Sequence, residues 1–80
     1  MKFPQYRKYK NGQSYFKVTS ESTFIEYKLM GHKIDEYSIE AKILPDRNYI
    51  HDLLYNYQEH WDKIDESNFI AFIKSHDKAK

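Results

Sequence analysis

The stretch Leu44 to Trp61, reading LPDRNYIHDLLYNYQEHW, constrains the fold most. Its apolar residues Ile50, Leu53, Leu54, Tyr57 and Trp61 recur at offsets of three, four, seven and eleven. At about 100° per residue, that spacing collects them on one arc of a helix. Pro45 biases Leu44 toward extended backbone, and Asp46 can accept from the free N–H groups of a first turn. Asn48, Asp52, Tyr55 and Glu59 fall on the opposite, wettable face. Such a helix needs an apolar surface to cover. The first half of the chain, which alternates as strands do, is expected to supply it.

Residues 1–80 have room for one small domain. A chain this short buries a limited share of its surface, so its core must be dense in large side chains. Eight Tyr, five Phe and one Trp make 18% of the chain aromatic, enough to build that core. The absence of Cys excludes disulfides, thiolate metal ligands and a cysteine nucleophile. The opening MKFPQYRKYK lacks the apolar centre of a signal peptide. The longest apolar run, Phe69 to Ile73, is too short to span a bilayer. A cytoplasmic location without a membrane partner is the expectation.

Strands are expected over residues 5–10, 13–19, 23–30 and 34–44. Asn11-Gly12 is the strongest short hairpin signal, because a two-residue type I′ loop needs positive φ at both positions. That loop pairs Lys8 with Tyr15, Tyr6 with Lys17, Arg7 with Phe16 and Gln5 with Val18. Phe3, Tyr9, Phe16 and Val18 form the more apolar face, which should meet the core. Gly31 marks a second turn. A three-residue loop, Gly31 to Lys33, sets Tyr27 opposite Tyr37 and Ile25 opposite Ile39. A two-residue loop would mix polar and apolar residues on one face, so the longer loop is preferred. Tyr37, Ile39, Ala41 and Ile43 then point inward.

Helices follow over residues 47–60 and 66–76, separated by a break near Asp62-Lys63-Ile64. Asp65 reads as the second N-cap, with Ile64 and Phe69 spaced as a hydrophobic staple. Residues 76–80 should fray. The expected fold is α+β: a four-stranded antiparallel meander followed by two C-terminal helices packed on one face.

Chemical motifs are scarce. Two glycines, Gly12 and Gly31, cannot write a phosphate-binding loop, and no nucleophile elbow occurs. His32, His51, His60 and His76 lack metal-ligand spacing, with His51 and His60 on opposite flanks of the expected helix. Glu26, Glu36 and Glu40 are expected to face outward, and no acid sits among apolar residues where its pKa would shift usefully. No catalytic residue, metal or cofactor is expected, which makes the domain a non-enzymatic binding module.

The candidate binding face is the outer side of the first hairpin, where Tyr6, Lys8, Lys10, Tyr15 and Lys17 would set two rings among three ammonium groups. Residues 1–20 hold five basic residues and no acid, while residues 21–80 hold eight basic residues and all twelve acids. That asymmetry suits a protein partner or self-association between the basic hairpin and the acidic helical half. Exposed aromatics such as Tyr6, Phe24 and Tyr55 would then anchor the contact. The alternative is single-stranded nucleic acid, with Tyr6 and Tyr15 stacking on bases and the lysines tracking phosphate.

Overall fold

The computed structural model describes residues 2–78. Four strands, β1 (Gln5–Tyr9), β2 (Ser14–Val18), β3 (Thr23–Met30) and β4 (Lys33–Glu40), lead into helix α1 (Leu44–Tyr55) and a 3-10 turn over Tyr57–Glu59. Strand β5 (Trp61–Ile64), helix α2 (Glu66–Ser75) and the short β6 (Asp77–Lys78) complete the described chain. The sheet order is β5-β1-β2-β3-β4-β6. Strands β1 to β5 pair antiparallel, and β6 adds a two-residue parallel pairing at Lys33 and Ile34. The α+β class holds. The four-stranded sheet does not: β5 lies between the two helices and extends the antiparallel sheet beyond β1.

Nor do the helices share a face. Alternation along each strand divides the side chains into two sets. Phe16, Val18, Phe24, Ala41 and Trp61 pack with Ile50, Leu53 and Leu54 of α1. Tyr6, Tyr27 and Ile34 pack with Phe69 and Phe72 of α2. The sheet is therefore the middle of three layers. Its placement follows from β5, which carries Trp61 on the α1 side and Ile64 on the α2 side. The chain leaves α1, crosses the sheet edge as one strand and delivers α2 to the other face.

The two-sided burial also explains the β3–β4 register. Phe24 stands opposite Ile39, Glu26 opposite Tyr37 and Tyr27 opposite Glu36, with a two-residue Gly31-His32 loop. This is one residue away from the expected pairing, which assumed a single apolar face. With both faces covered, Phe24 and Ile39 join one core while Tyr27 and Leu29 join the other. Lys28 consequently meets Asp35, not Glu36. Gly31 has φ +67 at the first loop position, which is where a type II′ turn takes glycine. Tyr37 and Ile43, expected inward, are 48% and 62% exposed.

In the first hairpin the expected register is found, from Gln5–Val18 to Lys8–Tyr15. Its turn differs. The Gly12 N–H bonds to the Tyr9 carbonyl at 2.8 Å, and the Gln13 N–H bonds to Asn11 Oδ1 at 2.8 Å. Only Gly12 has positive φ there, at +76, so the loop spans Lys10 to Gln13 and is not a two-residue I′ turn. Lengthening a loop by one residue on each side leaves the register unchanged.

Helix α1 begins earlier than expected and stops at Tyr55 instead of residue 60. Ile43 occupies its N-cap without a side-chain bond, and Pro45 lies in the first turn, where a missing N–H is harmless. Asp46 therefore sits inside the first turn and not at the cap. Beyond Tyr55, Asn56 leaves helical backbone at φ −127, ψ 43. Trp61, read as the last member of the helical arc, is instead a strand residue opposite Tyr9, 4% exposed. Helix α2 follows the sequence closely. Asp65 Oδ1 accepts from the Asn68 N–H at 2.8 Å, and Ile64 and Phe69 belong to one cluster. Lys80 and Ala79, part of the expected frayed end, lie outside the described residues.

Candidate binding cleft and sheet edge

The α1 side of the sheet is apolar at one end and polar at the other. Val18, Phe24, Ile39 and Ala41 lie under the helix, whereas Ser14, Glu26, Lys28 and Asp35 occupy the end near the first hairpin loop. An apolar helix face cannot cover that polar end without stripping water from its charges. A cleft of about 470 Å³ remains there. Tyr9, Phe16, Tyr49 and Trp61 give it aromatic surface, and Glu26, Asp52, Lys28 and His60 give it polar groups.

The rings meet as corners. Tyr49 and Phe16 each stand nearly perpendicular to Trp61, with centroids 5.6 and 6.1 Å away and interplanar angles of 87° and 89°. Tyr9 packs edge-on to Trp61 at 5.9 Å. Glu26 is half-buried among them, and its Oε2 accepts from Ser14 Oγ at 2.8 Å. The Tyr49 hydroxyl is pushed up to about 12, first by burial and then by the negative charge of Glu26 and by Tyr9. The Trp61 indole N–H is buried and has no partner among the described residues. Sequence reasoning missed this cleft because it sent Glu26 to solvent and Trp61 to a helix. Phe24, an apolar residue on the supposedly outer side of β3, was the signal that both faces are covered.

At the C-terminal end of α1 the same face buries a cation. Arg7 is 2% exposed. Its Nε–H donates to the Leu53 carbonyl at 2.9 Å, and an Nη–H donates to the Tyr6 carbonyl at 2.8 Å. The guanidinium lies over the Tyr57 ring, 4.4 Å from its centroid. Leu53 belongs to the last turn of α1, which has no basic residue of its own. Arg7 therefore supplies from β1 the positive charge that a helix C-terminus favours. Burial pulls the guanidinium below its ordinary pKa, an effect opposed by Tyr57.

The face expected to bind a partner has a different setting. Tyr6 is buried, with its ring 4.8 Å from Phe69 and its hydroxyl donating to Glu66 Oε2 at 3.3 Å. Burial, then Glu66, raises its pKa. Tyr15 is half-buried and stacks on Phe72 at 3.6 Å with an interplanar angle of 10°. Lys8 and Lys17 are half-buried, and exposed Lys10 pairs with Asp62 at 3.6 Å. Helix α2 thus occupies the ring faces that stacking on nucleic-acid bases would need.

The histidines are dispersed. His51 lies beside Tyr55 on exposed α1, His60 lines the cleft next to Trp61, and His32 is in an exposed turn. His76 contacts the Phe72 carbonyl through Nδ1 at 3.0 Å. Among the described residues, no group of three His, Asp or Glu side chains could hold a metal, and no helix is long and apolar enough to cross a membrane.

One sheet edge is open. Strand β5 at the other edge is four residues long, but β4 is eight, and beyond Ile34 no described strand pairs with its outer side. The Ala41 N–H bonds to the Ser22 carbonyl at 2.7 Å, continuing the β3–β4 ladder. Because backbone direction alternates in an antiparallel pair, Glu36, Ser38 and Glu40 aim their N–H and C=O groups outward. Tyr37, 48% exposed, lies between the first two. No protein-family model matches the chain, and comparison with curated proteins and with solved structures gives no significant match either.

Proposed function

We propose that this is a non-enzymatic protein-binding domain that receives an extended, basic segment of a partner on the open edge of β4. The observation carrying the reading is the outward backbone of β4 at Ser38 and Glu40. Natural sheets usually shorten, cover or kink such an edge, and an added strand satisfies it with main-chain hydrogen bonds. Charge favours a basic occupant: β4 carries Asp35, Glu36 and Glu40 against Lys33, with exposed Lys42 paired to Glu40 at 3.5 Å and Tyr27 hydrogen-bonded to Glu36. A second copy suits the edge poorly. Antiparallel self-pairing centred on Ser38 would set Glu36 against Glu40, and like charges opposite one another destabilise a ladder. Beside the edge, a shallow groove lined by Thr19, Thr23, Ile25 and Ser38 offers space for a side chain of the incoming strand.

The test is an NMR titration with a synthetic peptide of alternating lysines and valines, and a scrambled-charge peptide of glutamates and valines as control. The basic peptide should shift and protect the amides of Ser38 and Glu40. Ser38→Pro removes one outward donor without touching the β3 ladder, and it should abolish binding while preserving the rest of the spectrum. Equal binding of both peptides, or binding unaffected by the proline, would sink the reading.

A further inference from the structure

The cleft on the α1 side is a separate site from the β4 edge, and its chemistry is more specific. Its walls are ring surfaces meeting at right angles, its inner charge is the Glu26 carboxylate, and Asp52 adds a second carboxylate. Besides the His60 imidazole, the one ammonium lining it among the described residues, Lys28, is exposed and stands beside Asp35 in the sheet register. The volume falls within the range of small-ligand sites. We propose that this cleft binds a quaternary alkylammonium group, held against the rings of Tyr9, Tyr49 and Trp61 and neutralised by Glu26.

The alternatives fit worse. An anion would face two carboxylates. A neutral apolar guest would strip water from Glu26 and return no hydrogen bond or charge to it. A quaternary ammonium gives the rings a polarising cation and the carboxylate a counter-charge, without hydrogen-bond donors of its own to satisfy. Glu26 is already oriented for that task by Ser14 at 2.8 Å. Tyr49 is the outer wall: it reaches from α1 over Phe16, Phe24 and Trp61, yet remains 37% exposed.

Two sources could present this group, a free small cation or a methylated lysine side chain of a protein. Choline, its neutral carbon isostere 3,3-dimethylbutan-1-ol, and a peptide bearing trimethyl-lysine separate them. Each is titrated into labelled protein while the Trp61 indole N–H and the Tyr9 and Tyr49 amides are followed. Choline should move these signals with a Kd of about 1 mM or tighter, and the isostere should bind about tenfold more weakly. Glu26→Gln should cut that preference severalfold, leaving the share due to the rings, with the isostere unaffected, a readout independent of any general loosening of the fold. Tighter binding of the trimethyl-lysine peptide than of choline assigns the group to a protein side chain, and the reverse assigns it to a free cation. Equal binding of choline and the isostere overturns the proposal, as does the absence of shifts from choline and peptide alike.

Discussion

Both faces of the sheet carry aromatic rings and use them differently. On the α2 side, ring meets ring: Tyr6 and Tyr27 pack on Phe69, and Tyr15 lies flat on Phe72. The phenol groups of Tyr6 and Tyr27 reach out to Glu66 and Glu36, so that layer is apolar inside and polar at its rim. On the α1 side, Tyr9, Phe16 and Tyr49 corner on Trp61 while other sheet rings meet the aliphatic Ile50, Leu53 and Leu54, with polar groups at both ends of the contact. Arg7 closes one end by binding the helix backbone, and Glu26 leaves the other end open as a cleft. One face is spent on cohesion. The other sacrifices some cohesion to keep charge near rings.

The largest effect should come from truncating either layer. Leu53→Ala under α1 and Phe72→Ala under α2 should each cost about 3–5 kcal/mol in denaturant unfolding. A loss below about 1 kcal/mol for Phe72→Ala would mean that α2 is only loosely held, and the contrast between faces would collapse. Next is Arg7→Met, which keeps much of the volume but deprives the Leu53 and Tyr6 carbonyls of their donor. It should cost about 1–3 kcal/mol, and Arg7→Lys should recover little because an ammonium lacks the planar fork and the stacking surface. A stabilised methionine variant would show that the cation serves something other than the helix end.

Alkaline pH gives a smaller and sharper comparison. Tyr27 is pushed up to about 12, first by burial and then by its hydrogen bond and proximity to Glu36, and Tyr49 reaches about 12 in the cleft. Unfolded tyrosine loses its proton near pH 10, so above that pH the unfolded chain binds fewer protons than the folded one. Stability should be full below about pH 10 and fall as pH rises toward 12. Tyr27→Phe should remove about 2 kcal/mol of this alkaline loss, and Tyr49→Phe less, because Tyr49 is partly open to solvent. Unfolding curves collected at several alkaline pH values test both. The smallest expected change is Glu26→Gln. It should alter stability by about 0.5 kcal/mol or less while bringing the Tyr49 titration, followed by tyrosinate absorbance, closer to its ordinary value.

Much of the local structure was legible in the residues, and the errors share one cause. Asp65, Ile64 and Phe69 announced α2 because capping and stapling are local chemistry. The first hairpin register was readable even with the wrong turn, since pairing depends on the loop's centre and not on its length. The β3–β4 register failed because an alternation argument needs to know how many faces are buried. Phe24, apolar on the side taken as outer, was the one residue that marked a second covered face. Four residues with Asp62 and Lys63 at the middle give β5 almost no periodic signal, while Trp61 continued the helical spacing by coincidence. The binding-face prediction inherited the same assumption and selected Tyr6 and Tyr15, whose rings belong to the α2 core. Arg7 resembled any surface cation in the sequence, because what buries it, the Leu53 carbonyl and the Tyr57 ring, comes from distant parts of the chain.

The placement of β5 beside β1 also has a consequence for how the chain reaches this state. Strands β1 to β4 meet their neighbours through short loops, whereas β1 and β5 join residues more than fifty positions apart. Closing so long a segment is entropically slower than zipping successive hairpins. The meander is therefore expected to assemble first, with β1 as a bare edge until β5 docks. During that interval Tyr6 and Tyr9 stand on unpaired backbone, the combination that recruits other chains. Attachment of Trp61 is the step that ends this exposure, so its strand guards the domain during folding as well as completing the cleft afterwards.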